Sequence, residues 1–173
     1  MYDRMFNGCF VEKGIKMNKQ LALLFLCAAT PWSYAMENNQ LVKEKKVGIF
    51  SVKNKRDFQE DFAYHGTVDG GKLCAVYDGH GGQEVAKFLA NNFHDYFRKT
   101  SGPVQQRMAE AFKNADNDEF VKLNKKAGST ASVVFIKDNI AHFAHVGDLR
   151  AVLENDGAVG FATSDHKPNR ADE

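Results

Sequence analysis

Alternating apolar and polar positions predict a β-rich domain, with helices in the middle of the sequence. The strand patterns occupy residues 47–52, 62–66, 72–77, 130–136, 140–146, 150–154 and 158–163. Between the third and fourth strands the apolar spacing lengthens to about 3.6 residues, which predicts amphipathic helices over residues 85–97 and 103–123. The sequence Asp69-Gly70-Gly71 predicts a tight hairpin turn. This order of elements predicts an α+β layer architecture with antiparallel strands.

The start of the chain has a different pattern. A short basic start at Met17-Asn18-Lys19 precedes an apolar run from Leu21 to Ala29, which is too short to span a bilayer. Small residues follow in Ser33-Tyr34-Ala35. This layout predicts a signal peptide over residues 17–35, cleaved after Ala35, and a secreted or periplasmic protein that has no membrane contact after cleavage. A buried or membrane-anchoring helix is the alternative, and a cytoplasmic location follows if the leader is not functional.

Length and charge limit the classes of partner. The chain has 173 residues, 43% hydrophobic and 26% charged, which suits one globular domain that we expect to be a monomer. Its 23 basic and 22 acidic side chains nearly balance, so nucleic acid is not an expected partner. Residues 1–16 fit no part of the leader pattern, and we interpret them as an extension from a wrongly assigned start. Cys74 lies in an apolar strand pattern and is interpreted as a core residue.

The stretch Val76–Gly82, VYDGHGG, combines the residue types of a metal site. Asp78 offers hard oxygen ligands for Mg²⁺ or Mn²⁺, the Gly79 carbonyl is open to close approach, and the His80 imidazole can accept or donate a proton. If the hairpin forms, the acidic pair Glu60-Asp61 approaches Asp78, and three carboxylates converge. Their repulsion predicts a bound cation. A simple turn is the alternative for this stretch by itself.

Five short motifs occur in a fixed order along the chain. They are RDFQED at 56–61, VYDGHGG at 76–82, GSTA at 128–131, HVGDLRA at 145–151 and SDHKP at 164–168. In this order and spacing they resemble the metal-dependent protein phosphatase 2C (PPM-type) family. The resemblance covers about residues 46–173. It implies an antiparallel β-sandwich flanked by helices, in agreement with the apolar pattern.

The resemblance also implies a metal centre. Asp78 resembles the carboxylate that bridges two Mg²⁺ or Mn²⁺ ions, and the Gly79 carbonyl resembles a ligand of one of them. Glu60 and Asp61 resemble residues that hold this ion, partly through water. Asp165 resembles a ligand of a third, weaker ion.

The same resemblance implies a substrate and a reaction. Arg56 resembles the arginine that binds the substrate phosphate, and its planar fork matches phosphate oxygens. His80 resembles the general acid that protonates the departing serine or threonine oxygen. The implied activity is hydrolysis of phosphoserine and phosphothreonine in a phosphorylated protein substrate, by a water activated at a two-metal site.

Two departures from the family pattern bear on this interpretation. Leu149 stands where the family usually has serine. The chain ends at Glu173, whereas family domains continue into a segment with further metal-binding aspartates, so residues 46–173 are expected to form a C-terminally incomplete domain. The alternatives to an enzyme are a catalytically inactive fragment that binds phosphoprotein through Arg56 and a non-functional truncation product.

Overall fold

The structure is a computed structural model, and it describes residues 10–11, 14–16, 21–26, 47–53, 55–155 and 157–166. In these residues the strands are β1 (Phe10–Val11), β2 (Ile15–Lys16), β3 (Leu21–Leu26), β4 (Asp61–Val68), β5 (Gly71–His80), β6 (Gly128–Ser129), β7 (Ala131–Lys137), β8 (Ile140–Val146), β9 (Arg150–Asn155) and β10 (Ala158–Ala162). The helices are α1 (Glu84–Lys99), α2 (Val104–Asp116) and α3 (Glu119–Leu123).

The strands form two antiparallel sheets. The larger sheet has the order β1-β8-β7-β5-β4, with β2 also paired to β8 and β6 to β5. The smaller sheet has the order β10-β9-β3. Successive side chains of a strand point to opposite faces, so the larger sheet can pack against helices on one face and against the smaller sheet on the other.

The first core lies between the larger sheet and the helices. The apolar faces of α1 and α2 predicted from the helical spacing are buried there, together with alternate residues of β5 and β7. Aromatic rings connect the layers: the ring centroids of Phe93 and Phe112 are 4.8 Å apart, and those of Phe97 and Phe135 are 4.9 Å apart. Burial of each such side chain contributes roughly 1.5–3 kcal/mol, so this layer holds the helices in place.

The second core lies between the two sheets. Val134 and Phe143 of the larger sheet pack with Ala151 and Leu153 of the smaller one. The rings of Phe143 and Phe161 are 4.7 Å apart, which extends this contact to β10. The described structure therefore confirms the predicted α+β fold, an antiparallel β-sandwich with helices on its flank.

Two predicted elements differ from the structure. The predicted second helix is divided into α2 and α3, because the Asp118 carboxylate accepts a hydrogen bond from the Phe120 amide at 2.9 Å and starts a new helix. The predicted strand over residues 47–52 is wrong. That segment has no strand pairing, and Phe50 is 81% exposed. An alternating pattern forms a strand only where another strand supplies hydrogen bonds.

The start of the chain contributes strands to both sheets. β1 and β2, in the region interpreted as an extension, pair with β8, and β3 pairs with β9 from Leu21 opposite Asn155 to Leu26 opposite Arg150. An apolar run gains backbone hydrogen bonds at a sheet edge, so the fold gives the predicted signal peptide no support. The proposed cleavage point after Ala35 lies outside the described residues. None of the helices in the described ranges is long and apolar enough to cross a membrane.

Candidate active site

Strands β4 and β5 place two of the predicted acidic residues opposite each other. Their hairpin turns at Asp69 and Gly70, whose positive φ angles of 49° and 76° are typical of a two-residue turn. The resulting register sets Asp61 directly across from Asp78. Residues opposed in this way have Cβ atoms about 4.5–5.5 Å apart on one face of the sheet. Two carboxylates there destabilise the sheet, and a divalent cation would relieve their repulsion.

Glu60, which precedes β4, is bound to the turn that follows β5. Its carboxylate accepts a hydrogen bond from the Gly82 amide at 3.1 Å, and its carbonyl accepts one from the Gly79 amide at 3.0 Å. In the part of the chain that the structure describes, no three Asp, Glu, His or Cys side chains are grouped closely enough to hold a metal ion. The predicted convergence of three carboxylates is thus formed only in part, by Asp61 and Asp78, while Glu60 fastens the turn.

Gly79 occupies a position that has no room for a side chain. It is buried, and a Cβ atom there would lie 2.9 Å from the Glu60 carbonyl oxygen, 3.0 Å from the Gly82 carbonyl oxygen and 3.2 Å from the Ala86 Cβ. The first two neighbours are backbone atoms, which move only if the turn itself moves. The glycine therefore lets the end of β5 lie close to Glu60 and to the start of α1.

The backbone of Asp78 is fixed by residues 128–131, the GSTA motif. The Asp78 carbonyl accepts hydrogen bonds from the Thr130 amide at 2.9 Å, from the Thr130 hydroxyl at 3.4 Å and from the Ser129 hydroxyl at 3.3 Å. β6 pairs with the end of β5, and Ser129 lies opposite Gly79. The motif was recognisable in the sequence, but this supporting role of Ser129 and Thr130 was not predicted. Two adjacent hydroxyl residues beside a strand were the only signal for it.

The two residues expected to contact substrate are exposed. His80 is the last residue of β5 and lies opposite Gly128. Arg56 lies in the irregular segment ahead of β4, where its amide donates to the Lys53 carbonyl at 3.2 Å. No carboxylate of the described residues forms an ion pair with Arg56.

Asp165 forms an ion pair with Arg150. Arg150 Nε donates to Asp165 Oδ1 at 2.9 Å, and Arg150 Nη2 lies 2.8 Å from Asp165 Oδ2. Both carboxylate oxygens therefore contact the guanidinium. The resemblance to a metal ligand did not predict this ion pair.

Two other titratable groups, one half-buried and one buried, are shielded from solvent. His142 belongs to β8, and burial lowers the pKa of its imidazole. Cys74 is buried at 8% exposure, and burial raises the pKa of its thiol. The burial of its side chain confirms the prediction that Cys74 is a core residue. A thiol that stays protonated is also a poor nucleophile.

Comparison with known proteins identifies the family. The family model described as "Protein phosphatase 2C" matches residues 37–173. "Probable protein phosphatase 2C 11" of Arabidopsis thaliana is 34% identical over 139 residues, which cover 73% of this chain and 37% of that protein. "Probable protein phosphatase 1N" of Mus musculus is 31% identical over 159 residues, covering 84% of this chain and 39% of that protein. The chain thus spans less than half the length of these relatives.

A solved structure shows the same fold. It is described as "Crystal structure of serine-threonine phosphatase 2C from Toxoplasma gondii", and it matches with a TM-score of 0.55 at 17% identity over 91% of this chain and 55% of that one. At this identity the likeness concerns the fold alone. The family match extends over most of the sequence and includes every residue of the candidate site, and the chain therefore belongs to the protein phosphatase 2C family.

Proposed function

We propose that this chain belongs to a metal-dependent protein serine/threonine phosphatase, which hydrolyses phosphoserine and phosphothreonine in phosphorylated proteins. Family membership supports phosphatase activity in general. The observation that carries the finer proposal is the register of β4 and β5, which opposes the carboxylates of Asp61 and Asp78 beside the buried Gly79.

The donor chemistry of this end of the sheet fits Mg²⁺ or Mn²⁺. Asp61 and Asp78 supply carboxylate oxygens, which are the ligands that these hard cations prefer. Asp78 and the Gly79 carbonyl would hold such ions, and Glu60 and Asp61 would assist, partly through water. When bound, such ions supply a reactive water and neutralise charge on the phosphate oxygens.

The exposed residues account for the remaining steps. Arg56 would bind the phosphate through two parallel hydrogen bonds from its guanidinium. His80 would donate its proton to the serine or threonine oxygen as the bond to phosphorus breaks. Ser129 and Thr130 hold the Asp78 backbone and keep its carboxylate in position. Water is the nucleophile in this scheme, which agrees with the burial of Cys74.

The test is Mn²⁺-dependent release of phosphate from a phosphothreonine peptide, with Mn²⁺ binding measured in parallel by calorimetry. Asp78→Asn should abolish both. Asp138→Asn is the matched control, because Asp138 is exposed in the β7–β8 turn at a positive φ of 49°, which asparagine also tolerates. Full activity of the Asp78 variant would refute the assignment. Peptide binding through Arg56 without turnover in the unmodified chain would favour a phosphoprotein-binding protein instead.

A further inference from the structure

Residues 163–166, which follow β10, are fastened to β9 and to the bend before it. The Thr163 amide donates to the Ala151 carbonyl at 3.0 Å, and the Ala151 amide donates to the Thr163 hydroxyl at 2.9 Å. The His166 amide donates to the Gly147 carbonyl at 2.9 Å. These hydrogen bonds hold the segment at both of its ends.

The Arg150–Asp165 ion pair lies between these hydrogen bonds. Its two contacts, at 2.9 Å and 2.8 Å, have the bidentate geometry in which arginine binds carboxylate most strongly. The Asp165 side chain is 15% exposed and the Arg150 side chain is 50% exposed, so the carboxylate is the shielded partner. The His145 and His166 rings, whose centroids are 4.5 Å apart, add a contact on the same segment.

A continuous set of contacts leads from this ion pair to Asp78. Gly147, in the bend between β8 and β9, has a φ of +84°, and a Cβ atom there would lie 2.6 Å from the Thr130 Cγ2. The bend thus rests directly on Thr130. The Thr130 amide in turn donates to the Asp78 carbonyl at 2.9 Å.

We propose that Arg150 and Asp165 form a clasp that holds the Gly147 bend against Thr130 and thereby positions Asp78, and that Asp165 is not a metal ligand. To bind a divalent ion, the Asp165 carboxylate would have to release a guanidinium that contacts both of its oxygens. Arg150 and Asp165 are positioning residues in this scheme. Only the effect on metal binding at Asp78 rests on the proposed function.

A thermal double-mutant cycle on the full chain tests the clasp. Arg150→Met and Asp165→Asn should each lower Tm by about 2–4 °C, the shift that a loss near 1 kcal/mol gives in a chain of this size. The Tm of the double variant should be no lower than that of the less stable single variant. The charge swap, Arg150→Asp with Asp165→Arg, should recover part of the loss. The same cycle on Arg98 and Asp95 is the control, because both are about half exposed, at 49% and 48%, and such a pair shows little coupling.

Mn²⁺ titration calorimetry on the same variants separates a positioning role from direct ligation. We expect Arg150→Met and Asp165→Asn to weaken Mn²⁺ binding equally, by about 3- to 10-fold, at or below the lower end of effects seen for residues that orient a ligand. The charge swap should restore the affinity. If Asp165 were a ligand, Arg150→Met would free its carboxylate and tighten binding, and the swap would not rescue it.

Tighter Mn²⁺ binding by Arg150→Met would overturn the proposal, and so would a charge swap that fails to restore the affinity. Coupling between Arg150 and Asp165 no larger than that of the control pair would overturn it as well. If the unmodified chain binds no Mn²⁺, that result favours the catalytically inactive fragment over the proposed phosphatase, whereas the thermal cycle still decides whether the clasp exists.

Discussion

Gly79→Ala is the sharpest test of how the end of β5 is packed. The added methyl group would meet the carbonyl oxygens of Glu60 and Gly82 at 2.9 Å and 3.0 Å. Both contacts are shorter than nearly all real Cβ contacts, and the Gly79 amide is itself bonded to the Glu60 carbonyl at 3.0 Å. Relief therefore requires a shift of the backbone of the turn.

The expected loss of stability follows from two opposing effects. Forcing an extra methyl group into a packed site is unfavourable by about 1–3 kcal/mol. Restricting the unfolded chain by replacing glycine offsets about 0.4–1 kcal/mol of this. We therefore expect Gly79→Ala to lower the free energy of unfolding by about 1–2 kcal/mol, a roughly 5- to 30-fold change in the folded-to-unfolded ratio. Because the same shift moves Asp78, Mn²⁺ binding should weaken as well.

Equilibrium unfolding in urea measures the first effect and calorimetry the second. Gly48→Ala is the control, since nothing lies within 4 Å of a Cβ atom at that position. It should leave the urea midpoint nearly unchanged, within about 0.5 kcal/mol of the unmodified chain. A Gly79 variant with an unchanged midpoint and unchanged Mn²⁺ affinity would show that the turn has more room than the structure gives it.

Two further predictions concern the helices. Phe97→Ala removes a ring with 0% exposure that packs on Phe135, and should lower the free energy of unfolding by about 3–5 kcal/mol in the urea assay, whereas Phe58→Ala, at 73% exposure, should have little effect. Burial and the hydrogen bond to Asp118 raise the pKa of Tyr96 to about 12. The phenol is then harder to ionise in the folded than in the unfolded chain, so its contribution to stability is complete below about pH 10 and is lost towards about pH 12. Tyr96→Phe should make the free energy of unfolding less dependent on pH across this range. An unchanged pH dependence would contradict the prediction.

The central hairpin was predictable because its signals are local. The Asp69-Gly70 turn fixes the register, and the register sets Asp61 opposite Asp78. The binding of the Glu60 carboxylate to Gly82 was not predictable, because it depends on how the chain bends before β4. Likewise the contact between Arg150 and Asp165 depends on where residues 163–166 cross β9, and no short-range pattern encodes that crossing.

The division of the predicted second helix shows how a local signal was missed. Apolar spacing continues past residue 117, which favoured one long helix, but Asp118 also has the residue type of an N-cap. The cap prevailed because Asp118 bonds both the Phe120 amide and the Tyr96 hydroxyl. The strand predicted at 47–52 was wrong because a local signal was followed where the fold provides no neighbouring strand. Without one, the backbone of an alternating segment has no hydrogen-bond partner.

The placement of β7 and β8 has a consequence for how the domain comes apart. Val133 and Phe135 enter the core beneath the helices, whereas Val134, between them, enters the core between the sheets, and Phe143 of β8 joins it there. Both strands contribute side chains to both cores. If β7 or β8 leaves its place, the core beneath the helices and the core between the sheets both lose packing. We therefore expect the two layers to unfold as one cooperative unit, with the amide hydrogens of β7 and β8 among the slowest to exchange with solvent.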